Sequence, residues 1–357
     1  MTYCVAWKTK NTAFLISDTA MTTDDKSENN KPIKKLTSFG EKTFHSKNIT
    51  VEEWALKQFK IDDNFIICYA GAINKAEEII TTIKKYYLKG NPLRSLQLAV
   101  DSVRDINIEE VVQFLFAFNS NGYTSLFSYN IDFDNDIKEI PENSLIQIGS
   151  LSSSQYPYNE VANRFFNEHV LNLTSPTKQF YQFLSYFQHL GLHDNTLKKF
   201  AGGLYSGLYL DNNGSCWNED TSIIIYNRNL SNPKIQILGR INYFFRYDCL
   251  ILFSSFTNQK ELFLDSAEHP VYKSLQLQDE IDSIHYTFVP KIIVFLAKDY
   301  RSISTIKTNG KNDNIHFFDK NNDGEIITKF TYNFIRLLKG APFPPEYIFN
   351  LYWDEIT

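Results

Sequence analysis

Residues 2–22 read TYCVAWKTKNTAFLISDTAMT, and what this stretch forms decides how the rest of the chain is organised. Two β-rich runs, Tyr3–Trp7 and Ala13–Ser17, flank KTKN at residues 8–11, the pattern of a hairpin. A strand that starts at the third residue ties the chain end into the fold, where most termini fray. Thr2 therefore has a fixed place, and a threonine at the start of a chain carries two useful groups. Its hydroxyl is a nucleophile, and its α-amine, with a reference pKa of about 8, is close to the balance needed to take up the hydroxyl proton. Met1 covers that amine; threonine being small, ordinary methionine removal would uncover it.

Beyond the hairpin, TTDDKSENNKPIKK has loop composition, and ALKQFKIDDNFIICYAG holds two short strands around the turn residues Asp62, Asp63 and Asn64. Ile79, Ile80, Ile83 and Tyr87 recur at helical spacing, and Pro92 opens a second helix carrying Leu93, Leu96, Val100 and Val103. Strands return in VVQFLFAFN, YTSLFSYN and SLIQIG. Two amphipathic helices follow, over about Tyr158–Leu171 and Pro176–Leu190. The strand pairs GLYSGLYLDNNGSCW and SIIIYNRNLSNPKIQIL come next. Helices grouped in pairs between sets of strands favour an α+β protein with stacked antiparallel sheets covered by helices, a four-layer arrangement. Beyond Gly239, KIIVFLAKD reads as a strand, KFTYNFIRLLKG as a helix, and the end as a Pro-rich turn with an aromatic tail.

At 357 residues the chain is long enough for one enlarged domain or two ordinary ones. A net charge of −5 without a long basic run argues against nucleic acid or an anionic membrane as the main partner. The apolar stretch NYFFRYDCLILFSSF is broken by Arg246 and Asp248, too soon for a membrane span, and the start has no export-signal pattern. The expectation is a cytoplasmic protein. Cys4, Cys68, Cys216 and Cys249 lack metal or disulfide spacing and read as buried reduced thiols. The 29 Phe and 21 Tyr read as core filling.

The opening stretch resembles the N-terminus of proteasome β-type subunits and their bacterial ring-peptidase relatives, a family of N-terminal-nucleophile (Ntn) hydrolases. The match is an N-terminal threonine, a hairpin, then Asp and, four residues on, Thr. Carried over without a gap from Thr2, it places the orienting aspartate at Asp18 and the threonine that binds substrate backbone at Thr22. LKQFKIDDNFIICYAGAINKAEEII has the layout that follows the family's catalytic lysine, a strand–turn–strand ending in Ala-Gly and then a helix. Lys57 stands 14 residues before Gly71, as in the family pattern. A long insertion separates Asp18 from Lys57, and PIKKLTSF offers the rivals Lys34 and Lys35; strand context favours Lys57 over ungapped distance. LIQIGSLSS resembles the family's Gly-Ser strand end, which assigns support of the N-terminal amine to Ser150. The late Asp and Ser pair has no clean counterpart, Asp220 and Ser215 being the candidates.

The resemblance covers about Thr2 to Gly239. It implies a four-layer αββα Ntn sandwich at 1–240 with an appended C-terminal mixed α/β module at 241–357. It further implies a threonine-type peptidase that cleaves amide bonds through an acyl-enzyme on Thr2, without metal or cofactor, acting on a peptide or protein. Gly71 then supplies a backbone N–H to the oxyanion, and Tyr69 lines the first specificity pocket, where its bulk favours small or polar side chains. Homo-oligomerisation is implied, and an activating partner is left open. A catalytically silent scaffold or sensor, or a small-amide acylase on the same fold, stands as the alternative.

Two further signals carry less. DKNNDGEIITKF begins like a calcium loop but has Phe330 at its twelfth position, so a hairpin turn is expected. His189 and His193 have i, i+4 spacing with Gly191 between them, which reads as a helix end and surface loop.

Overall fold

The computed structural model describes residues 2–24, 36–46, 49–53, 55–87, 91–103, 112–130, 137–152, 158–194, 196–227, 236–257, 259–263, 288–299, 302–308, 316–320, 326–330 and 348–352. The chain forms two compact units, each assembled from three separate stretches. The first takes Met1–Lys35, Thr43–Phe180 and Asn195–Trp217, the second Leu36–Lys42, Tyr181–Asp194 and Asn218–Thr357.

In chain order the elements up to Trp217 are β1 (Tyr3–Lys8), β2 (Ala13–Asp18), β3 (Ala20–Asp24), β4 (Phe44–Ser46), β5 (Ile49–Glu53), β6 (Gln58–Asp62) and β7 (Phe65–Gly71). Then come α1 (Ile73–Tyr86), α2 (Pro92–Val103), β8 (Val112–Ser120), β9 (Tyr123–Asn130), β10 (Ile137–Glu139) and β11 (Ile146–Gly149). α3 (Tyr158–Phe165), α4 (Pro176–His193), β12 (Tyr205–Asp211) and β13 (Gly214–Trp217) complete the set. One sheet has the order β11-β1-β2-β12-β13, a second β10-β9-β8-β7-β6, and β3-β5-β4 form a third.

Period-2 alternation sorts the side chains of these strands. Cys4, Ala6, Ala13 and Leu15 of the first sheet share a core with Ile66, Cys68, Ala70, Leu115 and Ala117 of the second. The intervening residues Phe65, Ile67, Tyr69, Phe114 and Phe116 take the other face, against Ala76, Ile79, Ile80 and Ile83 of α1 and Leu96 and Ala99 of α2. The KTKN hairpin forms, closed by the Thr9 N–H to the Thr12 carbonyl at 2.8 Å, with Cys4 opposite Ser17.

In the second unit β14 (Thr221–Asn227), β15 (Gln236–Arg246), β16 (Cys249–Ser254), β17 (Gln259–Phe263), β18 (Ile292–Ala297) and β19 (Ser302–Lys307) join one mixed sheet. β20 (His316–Lys320) and β21 (Ile326–Phe330) pair separately, and β22 (Ile348–Tyr352) closes the sheet in the order β17-β16-β15-β14-β18-β19-β22.

The four-layer αββα sandwich with an appended mixed α/β module is therefore not what the chain forms. The described residues are mostly β, 22 strands against four α-helices, and the largest sheet has seven strands and lies outside the first unit. The helix assignment at α4 is the physical reason. Its first turn gives Phe180, stacked on Phe14 of β2 at 5.8 Å, but from Tyr181 onward it belongs to the second unit. There Gln188 donates to the Tyr243 hydroxyl at 3.3 Å, and the Thr305 and Ser185 hydroxyls bond at 2.8 Å. α4 has no polar face: Gln179, Gln182, Ser185, Gln188 and His189 are buried along with its aromatics, the mark of an interior helix rather than a covering one. Beyond Trp217 every described element is a strand, which overturns the mixed α/β module as well. Of the helix expected over KFTYNFIRLLKG, Lys329 and Phe330 lie in β21 and the remainder falls outside the described residues.

Other expectations change too. His189 is buried inside α4, which continues through Gly191, and its ring lies 4.3 Å from that of His193. Cys4, Cys68 and Cys249 are buried thiols, while Cys216 is exposed. Asp319 and Phe330 sit in the β20–β21 pair; Asn321, Asp323 and Gly324 lie outside the described residues.

Candidate active site

The start of β1 lies between β2 and β11, and that placement brings the opening residues to Asp18. The Tyr3 backbone N–H donates to Asp18 Oδ1 at 3.1 Å. Lys57 Nζ donates to the same oxygen at 2.7 Å and also to the Ala20 carbonyl. The Gly202 N–H reaches Oδ2 at 2.7 Å. The Asp18 and Lys57 side chains are both 0% exposed. Burial pushes the Asp18 carboxyl above its ordinary value, and the Lys57 ammonium and the Tyr3 and Gly202 N–H groups pull it back. Such a pair is weak as a stabilising device, because desolvating two charges offsets most of their attraction.

Thr2 is 1% exposed, and its Oγ1 has no hydrogen-bond partner among the described residues. Its carbonyl accepts the Ser150 N–H at 2.7 Å. This close approach depends on Gly149, at φ +92°, where a Cβ would stand 1.9 Å from the Thr2 oxygen. Gln113 Oε1 holds the Gly149 N–H at 3.0 Å. Ser150 Oγ is likewise buried without a partner. Two orphaned buried hydroxyls on adjacent backbones call for an explanation, since such groups are rare in native interiors.

The structure thus brings Thr2, Asp18, Lys57 and Ser150 together. Gly71 ends β7 opposite Val112 with φ +116°. Thr22 lies on β3 opposite Val51, two residues beyond the Ala20 carbonyl that Lys57 grips. Tyr69 is fully buried in the core beneath α1, its ring 5.9 Å from that of Phe59; its N–H bonds to the Lys57 carbonyl at 3.2 Å. Burial raises its phenol well above the ordinary value. Lys34 and Lys35 lie outside the described residues. Asp220 and Ser215 are not brought to the site. Asp220 pairs with Arg246 at 2.8 and 3.0 Å, and the Ser215 hydroxyl donates to the Asp62 carbonyl at 3.3 Å.

The group that bonds Asp18 Oδ2 comes instead from Ala201–Leu204, a segment that Glu53 of β5 bonds in turn. Gly202 and Gly203 have φ +117° and +70°, and Glu53, 0% exposed, accepts the Leu204 N–H at 2.6 Å and bonds the Thr19 hydroxyl at 3.0 Å. The signal for Glu53 was its phase: it shares the buried face of its strand with Val51.

Among the described residues, no group of three His, Cys, Asp or Glu side chains is placed to hold a metal, and no helix is long and apolar enough to cross a membrane. Comparison with protein-family models and with curated proteins finds no match.

Proposed function

We propose that the chain is an N-terminal threonine hydrolase that cleaves amide bonds of peptides through an ester on Thr2. The observation that carries this reading is the buried Lys57–Asp18 pair. Its carboxylate also holds the Tyr3 N–H, one peptide unit from a threonine hydroxyl that has no hydrogen-bond partner among the described residues. The proposal rests on this site and not on the architecture.

Once Met1 is removed, the Thr2 amine takes the hydroxyl proton and Oγ attacks the substrate carbonyl carbon. The Lys57 ammonium lowers the cost of the alkoxide, and Asp18, at 2.7 Å, keeps Lys57 aimed. The backbone N–H at Gly71 faces the oxyanion, the interaction that is usually largest in acyl transfer. Collapse of the tetrahedral intermediate passes the proton to the departing amine. Water, deprotonated by the same α-amine, then releases the acid and restores the hydroxyl. Thr22 and the strand end at Gly71 bind the substrate backbone, and Ser150 supports the amine. A cytoplasmic location belongs to the same proposal, supported by the exposed free thiol of Cys216, which suits a reducing compartment.

The test is incubation with a peptide epoxyketone, whose two electrophilic carbons capture a hydroxyl and an adjacent amine, followed by intact-mass analysis and peptide mapping. The expected result is one adduct on Thr2 of chain lacking Met1. Labelling elsewhere, or active protein that retains Met1 in full, would overturn the mechanism; hydrolysis-free protein with no adduct would leave a scaffold.

A further inference from the structure

We infer that Glu53 is a positioning residue for Asp18, acting through the Ala201–Leu204 loop that delivers the Gly202 N–H; this rests on the proposed hydrolase reading. Asp18 Oδ2 receives that N–H at 2.7 Å, so the carboxylate's aim depends on where the loop is held. The loop contains Ala201, Gly202, Gly203 and Leu204, with no polar side chain of its own to fix it. What fixes it comes from behind. Glu53 Oε1 accepts the Leu204 N–H at 2.6 Å, and the single Thr19 hydroxyl proton is shared between Glu53 Oε1 at 3.0 Å and the Leu204 carbonyl at 2.9 Å. Glu53 and Thr19 are each fully buried, and a Cβ at Gly203 would meet the Glu53 Cγ and the Thr19 Oγ1 at 2.9 Å.

Thr19 adjoins Asp18 in sequence, so the two carboxylates face the same loop from one backbone segment and its neighbouring strand. Asp18 fixes the Gly202 end and Glu53 the Leu204 end. A hydrogen bond to a charged carboxylate favours its ionised form, so loosening the loop raises the Asp18 carboxyl further. The titratable groups that face Asp18 are Lys57, Cys4 and the phenols of Tyr3 and Tyr69. The hydrogen bonds of Glu53 go to Leu204 and Thr19, and through them it holds the loop that serves Asp18.

The test compares the full chain with its Glu53→Ala and Glu53→Gln variants in epoxyketone labelling of Thr2 across pH. Glu53→Ala is expected to move the acid limb of the labelling rate upward by about one pH unit, the effect of losing one charge-assisted hydrogen bond. The maximal rate is expected to fall at least about tenfold, with the probe's affinity unchanged, as expected for lost orientation rather than lost binding. Glu53→Gln keeps an acceptor oxygen for Leu204 and Thr19 and is expected to stay within about threefold of the parent. A folded Glu53→Ala variant with the parent's acid limb and rate would overturn the inference. If the parent itself is not labelled, the hydrolase reading falls, and the inference is then decided by carboxyl-carbon NMR titration of Asp18 in parent and variant, where an unchanged midpoint overturns it. If Glu53→Ala does not fold, Thr19→Val, which removes the hydroxyl bridging Glu53 and the loop, is measured in its place with the same outcomes.

Discussion

Replacing Gly149 by alanine should cost both stability and the placement of Thr2. The new Cβ would lie 1.9 Å from the Thr2 oxygen, 2.7 Å from its carbonyl carbon and 3.1 Å from the Ala70 Cβ. Reaching the 3.0 Å that real Cβ contacts essentially never undercut requires the Thr2 carbonyl to retreat by more than about 1 Å. That movement breaks the 2.7 Å bond from the Ser150 N–H, a loss of about 1 kcal/mol. Holding alanine at φ +92° adds about 1–2 kcal/mol, and residual crowding about 1 more, for a total near 3–4 kcal/mol. Gly122 supplies the control: it has φ +81° but nothing within 4 Å of its ideal Cβ, so Gly122→Ala carries the backbone strain alone, about 1–2 kcal/mol. Urea unfolding measures both variants. Because a displacement of about 1 Å at a reacting group costs on the order of a hundredfold in rate, Gly149→Ala should also label at Thr2 about a hundred times more slowly than Gly122→Ala. Equal stability losses in the two variants, or equal labelling rates, would refute the close approach and its role in holding Thr2.

Thr2→Ala removes a hydroxyl that has no hydrogen-bond partner, so urea unfolding should change by less than about 1 kcal/mol while labelling disappears; a cost above about 2 kcal/mol would mean the hydroxyl is bonded after all. Lys57→Met leaves the Asp18 carboxylate buried without its cation and should destabilise by about 3–5 kcal/mol at pH 7. The folded-state carboxyl is already raised and rises further in this variant, while the unfolded one stays near 3.9, so the penalty grows as pH climbs above the unfolded value and shrinks on acidification toward it. A loss that does not change between pH 7 and pH 4 would refute that assignment.

The hairpin, the two helices after Gly71 and the strands β8, β9 and β11 were legible because each obeys a local rule: alternation, turn residues, or 3.6-residue spacing. Lys57 and Asp18 were legible as residues, but their pairing was not, since 39 residues separate them and no local pattern encodes where β3–β5 fold back. α4 misled for a different reason. Its apolar positions have helical spacing, but its Gln, Ser and His residues look like a solvated face when they are in fact buried, Gln188 and Ser185 against Tyr243 and Thr305 of the seven-stranded sheet. Glu53 was missed because an acidic pair, Glu52–Glu53, reads as surface, and only the strand phase distinguishes the half-buried Glu52 from the buried Glu53. β14 looks like the last strand of what precedes it; its parallel pairing with β18, across about 70 residues, is a long-range choice that composition does not reveal.

The interleaving of the two units also sets a timetable for synthesis. Leu36–Lys42 leaves the ribosome about 180 residues before Thr221, the first residue of the sheet its unit is built on, a wait of roughly 10–40 s at ordinary elongation rates. Phe183, Tyr186, Phe187 and Leu190 emerge before that sheet as well. A message cut short after Trp217 would therefore not yield a smaller working protein, but a chain with an apolar helix and no sheet to receive it, a substrate for chaperones and proteases.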